Sequence, residues 1–162
     1  MKTCSTTRWG NAMRVFIDTN VLFDILAQRK PFFESAEKLV IMQMFGDAEL
    51  WCAPQSLLDV SYVLGKVRPA AELHAALGKV LERVNLCATT HDDMKAACGA
   101  GWDDLEDALI GVLCKKVSAD YLLTRDEKQA GFKGLGIPSL TPEEFFSLIE
   151  VERNLRYSAI EL

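Results

Sequence analysis

Short apolar runs alternate with longer amphipathic segments along most of this chain. The short runs are continuously apolar and end in polar residues, a pattern typical of strands that are buried on both faces of a parallel sheet. They predict strands at 14–18, 50–53, 84–87 and 121–124, and a short edge strand at 137–140.

The longer segments repeat apolar residues every three or four positions, which predicts helices with one buried face. These helices are expected at 33–45, 55–67, 70–81, 89–98 and 104–117. Thr141 is followed by Pro142 and two glutamates, which indicates an N-cap and the first turn of a last helix that runs through Ile149. Because strands and helices alternate, we expect an α/β fold with a parallel sheet of about five strands and right-handed crossovers.

Length and composition indicate one globular domain. The chain has 162 residues, of which 49% are hydrophobic and 25% are charged, and this suits a single packed core. We expect a tail over residues 1–12, the folded domain over 13–150 and a second tail over 151–162. No apolar run approaches the ~18–20 residues of a membrane helix, and we expect no secretory signal in the polar first tail.

The cysteines indicate a reducing compartment. The chain has five cysteines, and neither the odd number nor the spacing, which contains no CxxC pair, suggests a zinc site. Cys52, Cys87 and Cys114 lie in apolar stretches, so we expect buried free thiols and a cytoplasmic protein.

The net charge of −5 argues against a protein that binds nucleic acid by positive charge alone. It does not exclude a nuclease, because clustered carboxylates that bind Mg²⁺ reverse the local charge when the ion arrives.

Two acids follow predicted strands directly. Asp18 ends the first strand, and Asp126 ends the run 122–126 that continues the strand at 121–124. Ligands of open α/β sheets bind at the carboxyl ends of the strands, so both carboxylates are expected to face one crevice. For Asp18 alone, an equally good interpretation is an N-cap of the helix that begins near Val21.

Further acids lie at the start of the helix at 104–117. Asp104 and Asp107 are three residues apart and share a face near the positive end of the helix dipole. Asp107 is deeper in the helix and is the stronger site candidate, with Asp104 in reserve. Asp103 and Glu106 fit a D-x-x-E capping box, and we expect them to cap this helix.

Asp59 lies in an apolar helical run, where a carboxylate without a partner is costly to bury. It is a fourth site candidate, although exposure on the opposite helix face or a pair with Lys66 is also open. Packed carboxylates raise one another's pKa, and a hard cation such as Mg²⁺ or Mn²⁺ removes that penalty. Two such ions about 3.5–4 Å apart promote phosphodiester cleavage.

Other classes that use strand-end acids fit less well. Asn20 stands where a haloacid-dehalogenase-type phosphotransferase has its second acid. The chain contains no GxxxxGK[ST] loop, so nucleotide binding of the P-loop kind is unsupported.

Four motifs in this order resemble the PIN-domain family of metal-dependent ribonucleases, which includes VapC-type toxins. The resemblance spans roughly residues 14–150, and its motifs are FIDTNV at 16–21, SLLDVSYVL at 56–64, DLEDALI at 104–110 and ADYLLTRD at 119–126. The one departure is Asp59, where the family typically has a glutamate. Because its side chain is shorter, Asp59 would act through water or by orienting the metal ligands rather than by contacting the metal.

The resemblance implies a three-layer α/β/α fold in which a central parallel sheet is flanked by helices. It implies an endoribonuclease that requires Mg²⁺ or Mn²⁺ and acts as the toxin of a toxin–antitoxin pair, with RNA, an antitoxin protein and a second copy as partners. The metal ligands would be Asp18, Asp107 and Asp126, with Asp104 in reserve and Asp59 as a further catalytic acid.

The remaining polar residues of these motifs are given supporting roles by the resemblance. Asn20 and Thr124 would orient the acids. Arg125 would contact the RNA phosphate, or it would form a surface salt bridge. The alternative function is a PIN-like module that binds RNA or protein and holds metal too weakly to cut, which Asp59 and the acidic net charge favour.

Overall fold

The computed structural model describes residues 12–126, 132, 134–154 and 156–158. Its strands are β1 (Met13–Ile17), β2 (Ala48–Cys52), β3 (Val84–Leu86), β4 (Tyr121–Leu123) and β5 (Ser139–Leu140). Its helices are α1 (Thr19–Ala27), α2 (Phe33–Met44), α3 (Pro54–Leu64), α4 (Ala70–Leu81), α5 (His91–Gly99), α6 (Leu105–Lys116) and α7 (Pro142–Arg153).

The strands form one parallel sheet in the order β3-β2-β1-β4-β5. In the central strand, Val15 lies opposite Leu50 of β2 on one side and Tyr121 of β4 on the other. In chain order, β2 and β3 lie successively outward on one side of β1, and β4 and β5 lie successively outward on its other side. This reversal of direction leaves a crevice between the carboxyl ends of β1 and β4, which is where open α/β sheets bind ligands.

Alternate residues of β1 enter two separate cores. Val15 and Ile17 pack with α1, α2, α3, α4 and α7, whereas Phe16 packs with α5 and α6. All three side chains are fully buried, and each such burial contributes about 1.5–3 kcal/mol. The sheet is therefore covered on both faces, which confirms the predicted three-layer α/β/α fold with five parallel strands in the described part of the chain.

The predicted elements are confirmed, with differences at their ends. The predicted helix at 55–67 ends at Leu64 in the structure. The last helix continues beyond the expected Ile149 to Arg153, where Asn154 adopts a left-handed conformation (φ 51°) and its N–H donates to the Ile149 carbonyl. That C-cap accounts for the length of α7. Thr141 caps its start, as predicted, and the structure adds a reciprocal bond pair with Glu144.

Other expectations concern the cysteines and the two tails. Cys52, Cys87 and Cys114 are buried free thiols, as expected. None of the helices in the described ranges is long and apolar enough to cross a membrane. Residues 1–11 of the expected first tail and most of the region beyond residue 154 lie outside the described residues, so the domain boundaries stay predictions.

Candidate functional site: an acidic cleft

An open cleft of about 390 Å³ lies at the carboxyl ends of β1 and β4. Its wall includes all the acids singled out as site candidates and one more, namely Asp18, Asp59, Asp104, Glu106, Asp107 and Asp126. The acids come from the ends of two strands, from α3 and from the first turn of α6. The topology thus brings together carboxylates that are up to about a hundred residues apart in sequence.

Asp18 is held in place by three hydrogen bonds. Its Oδ1 accepts from the backbone N–H of Thr19 at 2.7 Å, and its Oδ2 accepts from the Thr124 hydroxyl at 2.7 Å and from Nδ2 of Asn20 at 3.0 Å. Asp18 is also the N-cap of α1, which confirms that interpretation, and the same residue lines the cleft. Burial raises the pKa of Asp18, and the nearby Asp126 carboxylate raises it further, against the lowering effect of the hydrogen bonds.

Asn20 and Thr124 also hold the segment that leads to Asp126. The Asn20 Oδ1 atom accepts from the backbone N–H of Arg125 at 3.0 Å, and the Thr124 hydroxyl oxygen accepts from the backbone N–H of Asp126 at 3.1 Å. Each side chain therefore touches Asp18 at one end and the chain beside Asp126 at the other. These are contacts that orienting groups would make.

The first turn of α6 differs from the prediction. Asp104, rather than Asp103, is the N-cap, and its Oδ1 accepts from the backbone N–H groups of Glu106 at 2.8 Å and Asp107 at 3.1 Å. The predicted capping box of Asp103 and Glu106 is wrong because the helix begins one residue later. Capping occupies one oxygen of Asp104 while the residue also lines the cleft.

This shift makes Glu106 a cleft residue, which the sequence analysis missed. With Asp104 as the N-cap, Glu106 and Asp107 are the second and third residues of the helix, and both line the cleft. The Thr19 hydroxyl lies 3.2 Å from Oε1 of Glu106. Glu106 is identified as a cleft residue only by the position at which α6 begins in the structure.

The crowded acids share an unfavourable electrostatic environment. Burial raises the pKa of Asp107 to about 6, and the charges of Asp104, Asp18, Asp126 and Glu106 contribute to this shift. The pKa of Glu106 is raised for the same reasons, with Asp18, Asp59 and Asp104 as the neighbouring charges. Repulsion of this kind is relieved when a cation binds among the acids.

Asp59 is exposed on α3 and lines the cleft beside Val60 and Val63. It is close enough to raise the pKa of Glu106. Lys66, the alternative partner considered for it, has its ammonium 4.3 Å from the centre of the Tyr62 ring. The helix thus brings Asp59 to the cleft without burying it.

The predicted contact between Arg125 and substrate needs correction. The Arg125 side chain is 11% exposed and forms ion pairs with Asp24 and Glu143. The salt-bridge alternative is therefore found, with Asp24 inside the protein and with the half-exposed Glu143 at its surface. These contacts, one of them to an Asp24 that is shared with Arg29, would compete with any contact between the guanidinium and an RNA phosphate.

The chemistry of the cleft fits a hard divalent cation. All the charged acceptors are carboxylate oxygens, which favour Mg²⁺ or Mn²⁺ over softer metals. In the described ranges, no three Asp, Glu, His or Cys side chains converge closely enough to surround one ion. Mg²⁺ usually keeps several waters and contacts only one or two carboxylates together with substrate phosphates, so this geometry is compatible with it.

Comparisons with known proteins identify the family. The family model for the PIN domain matches residues 14–128, and the chain belongs to the PIN-domain family, as the motifs indicated. It is 28% identical over 143 residues to Ribonuclease VapC1 of Aquifex aeolicus, an alignment that covers 83% of this chain and 94% of that protein.

Solved structures share the fold. VapBC-1 from nontypeable Haemophilus influenzae has a TM-score of 0.60 at 13% identity, covering 81% of this chain and 99% of that one. A toxin–antitoxin complex from Klebsiella pneumoniae has a TM-score of 0.58 at 19% identity, covering 79% of this chain and 97% of that one. Both likenesses support the α/β/α architecture.

Proposed function

We propose that this chain is a Mg²⁺- or Mn²⁺-dependent endoribonuclease that hydrolyses RNA phosphodiester bonds and is the toxin of a toxin–antitoxin pair. The observation that carries the proposal is the group of six acids in one cleft at the carboxyl ends of β1 and β4. Membership of the PIN-domain family and the likeness to Ribonuclease VapC1 support it.

In this proposal Asp18, Asp107 and Asp126 supply the metal ligands: one or two of them would contact the ion directly and the rest would bind it through its waters, and Asp104 would join them when a second ion binds. A bound Mg²⁺ or Mn²⁺ would supply Lewis-acid chemistry here, making a water more nucleophilic and neutralising charge on the leaving oxygen. Asp59 and Glu106 do not contact the metal directly in this proposal; they hold water or accept a proton.

The residues around the ligands fix their orientation. Thr124 and Asn20 both donate to Oδ2 of Asp18. These two hydrogen bonds hold the carboxylate in one orientation at the cleft. Holding ligands in this way reduces the reorganisation needed in the transition state. Arg29, which lines the cleft and has a side chain that is 41% exposed, is the better candidate for contacting an RNA phosphate.

Partners follow from the same proposal. A solved toxin–antitoxin complex has this fold, and we propose an antitoxin protein as a partner of this chain. We also propose a homodimer, for which exposed apolar side chains of α3 and of the turn after it provide a surface, namely Leu58, Tyr62, Val63 and Val67. An RNA substrate and the reduced, buried thiols favour a cytoplasmic location.

Cleavage of a panel of single-stranded and structured RNAs with Mn²⁺ tests the proposal, with Asp18→Asn as the inactive variant. We expect this change to abolish cleavage, because an essential ligand is lost. Asp92→Asn, which alters an exposed acid on α5, is the matched control and should cut like the parent. Intact RNA in every reaction, or unimpaired Asp18→Asn, would refute the proposal.

Metal titration by calorimetry distinguishes the alternative binding module. A metal-dependent heat that disappears in Asp18→Asn supports the enzyme. If the parent binds RNA but shows neither metal-dependent heat nor stabilisation, the chain is a PIN-like binding protein that does not cut.

A further inference from the structure

Arg125 lies next to the cleft in sequence, but its own side chain is not part of the cleft wall. Its neighbours in sequence are Thr124, which contacts Asp18, and Asp126, which lines the cleft. The guanidinium instead contacts residues of three helices on one side of the sheet: Asp24 of α1, Ser35 of α2 and Glu143 of α7.

The position of the guanidinium is set first by Asp24. The Asp24 side chain is fully buried, and it accepts from Nε of Arg125 and from Nε of Arg29, the latter at 2.7 Å. A buried carboxylate without cationic partners is strongly unfavourable. The folded protein therefore holds Arg125 against α1.

Glu143 and the start of α2 hold the other end of the guanidinium. Nη1 and Nη2 donate to the two carboxylate oxygens of Glu143 at 2.9 Å and 3.0 Å, an arrangement with a fixed direction. Nη2 also lies 3.1 Å from Oγ of Ser35, and the Phe32 ring centre is 4.1 Å from Cζ. The planar group is thus fixed along its edges and on one face.

The main chain of Arg125 is held from the cleft side. Its N–H donates to Oδ1 of Asn20 at 3.0 Å, and Asn20 in turn donates to Asp18 at 3.0 Å. One residue is therefore bound both to the scaffold, through its side chain, and to the acid network, through its backbone. The next residue in the chain is Asp126.

We infer that Arg125 is a positioning residue, which together with Asp24 and Glu143 fixes the segment that carries Asp126 so that its carboxylate and that of Asp18 can share a metal ion. This inference rests on the proposed function, because it concerns the same metal site. Displacement of a reacting group by about 1 Å can cost about 100-fold in rate, and loss of groups that orient metal ligands costs about 10–100-fold in metal affinity.

Arg125→Met tests the inference through metal binding and catalysis. We expect Mn²⁺ affinity, measured by calorimetry, to fall by about 10–100-fold, with a matching loss of kcat and an unchanged KM for RNA. Arg14→Met is the control: its side chain is 48% exposed, it pairs with Glu49, and it lies near the opposite ends of the strands. This variant should keep the parent values.

The salt dependence of RNA binding separates positioning from a phosphate contact. In the Asp18→Asn background, which prevents cleavage, Arg125→Met should leave the slope of log affinity against log salt unchanged. Loss of one phosphate contact would reduce that slope by about one, and such a reduction would overturn the inference.

A double variant separates positioning from simple stabilisation. Arg125→Met leaves the buried Asp24 with less positive charge, so we expect a lower Tm. Asp24→Asn combined with Arg125→Met removes that buried charge and should restore part of the Tm while Mn²⁺ affinity and kcat stay low. Recovery of all three would show that Arg125 only stabilises the fold.

The outcomes for the parent keep the two proposals apart. A parent that binds Mn²⁺ and cuts RNA, with an Arg125→Met variant that does both equally well, overturns the positioning role alone. A parent with neither activity overturns the proposed function and the positioning role with it.

Discussion

Thr124 donates its hydroxyl hydrogen to Oδ2 of Asp18 across 2.7 Å, and the same hydroxyl oxygen accepts the backbone N–H of Asp126 at 3.1 Å. Thr124 is fully buried. A single side chain therefore connects the end of β1 to the chain that leaves β4, and it joins the two strand-end acids of the cleft.

Thr124→Val should weaken this connection with little change of shape. The change removes both hydrogen bonds, one of them to a charged group, and we expect a loss of about 1–3 kcal/mol in the free energy of unfolding. Mn²⁺ affinity and cleavage should each fall by about 10–100-fold. Thr124→Ser keeps the hydroxyl and is the control. Equal Mn²⁺ affinity in the parent and in Thr124→Val would contradict the orienting role.

Asp107→Asn should stabilise the metal-free protein at high pH. The pKa of Asp107 is raised from 3.8 to about 6, so its ionised form is less favourable folded than unfolded. The stability of the parent therefore falls as pH rises from about 4 through about 6 and then levels off. After allowance for the partial exposure of Asp107, the gain at pH 8 in EDTA is about 1 kcal/mol, or roughly 2–4 °C in Tm.

Melting curves in EDTA at pH 4 and pH 8 check this expectation, and the difference between parent and variant should shrink at pH 4. Saturating Mn²⁺ should reverse the order at pH 8, because only the parent gains stability from tight binding. A variant that melts below the parent at pH 8 in EDTA would show that burial and the neighbouring acids do not disfavour the ionised form of Asp107.

Asp93→Asn should remove an acid-sensitive link between α5 and α6. Asp93 Oδ2 accepts from Lys116 Nζ at 2.6 Å and from the Thr90 backbone N–H at 2.8 Å. These contacts, with the Lys116 bond as the largest cause, lower the pKa of Asp93 from 3.8 to about 2. Its contribution to stability is therefore present above pH 4 and is lost as pH falls towards 2.

The variant should melt below the parent at pH 7, and the two curves should converge near pH 2. Thermal melts from pH 2 to pH 7 measure the convergence. A difference in Tm that stays constant across this range would mean that the charge on Asp93 plays no part.

Gly111 and Gly78 should respond oppositely to alanine. A Cβ at Gly111, in the buried part of α6, would lie 2.9 Å from Cη2 of Trp102 and 3.4 Å from Cδ1 of Leu135. Overpacking of this kind costs about 1–3 kcal/mol, which exceeds the ~0.5–1 kcal/mol gained from helix propensity. Gly78 of α4 is exposed, and a Cβ there meets nothing within 4 Å, so it should show only the gain.

Denaturant unfolding of the two alanine variants tests the pair. We expect the midpoint to fall for Gly111→Ala and to rise for Gly78→Ala. A rise in both would show that Trp102 moves aside without cost.

The sequence by itself determined the elements, their order and the family. Continuous apolar runs such as 15–17 identified buried parallel strands, because a strand covered on both faces has no polar side. Asp18 and Asp126 could be placed in one crevice from their positions after strands alone. The cap of α7 was also local, since Thr141 and Glu144 are three residues apart and need no tertiary information.

Only the tertiary structure decided which polar groups meet. The sequence could not show that α6 begins at Leu105, which makes Asp104 the cap and turns Glu106 towards the cleft. It also could not show that Arg125 binds Asp24 and Glu143, residues 101 and 18 positions away. Periodicity reports which face of an element is apolar, but a charged side chain takes its partner from whatever the packing brings within about 3 Å.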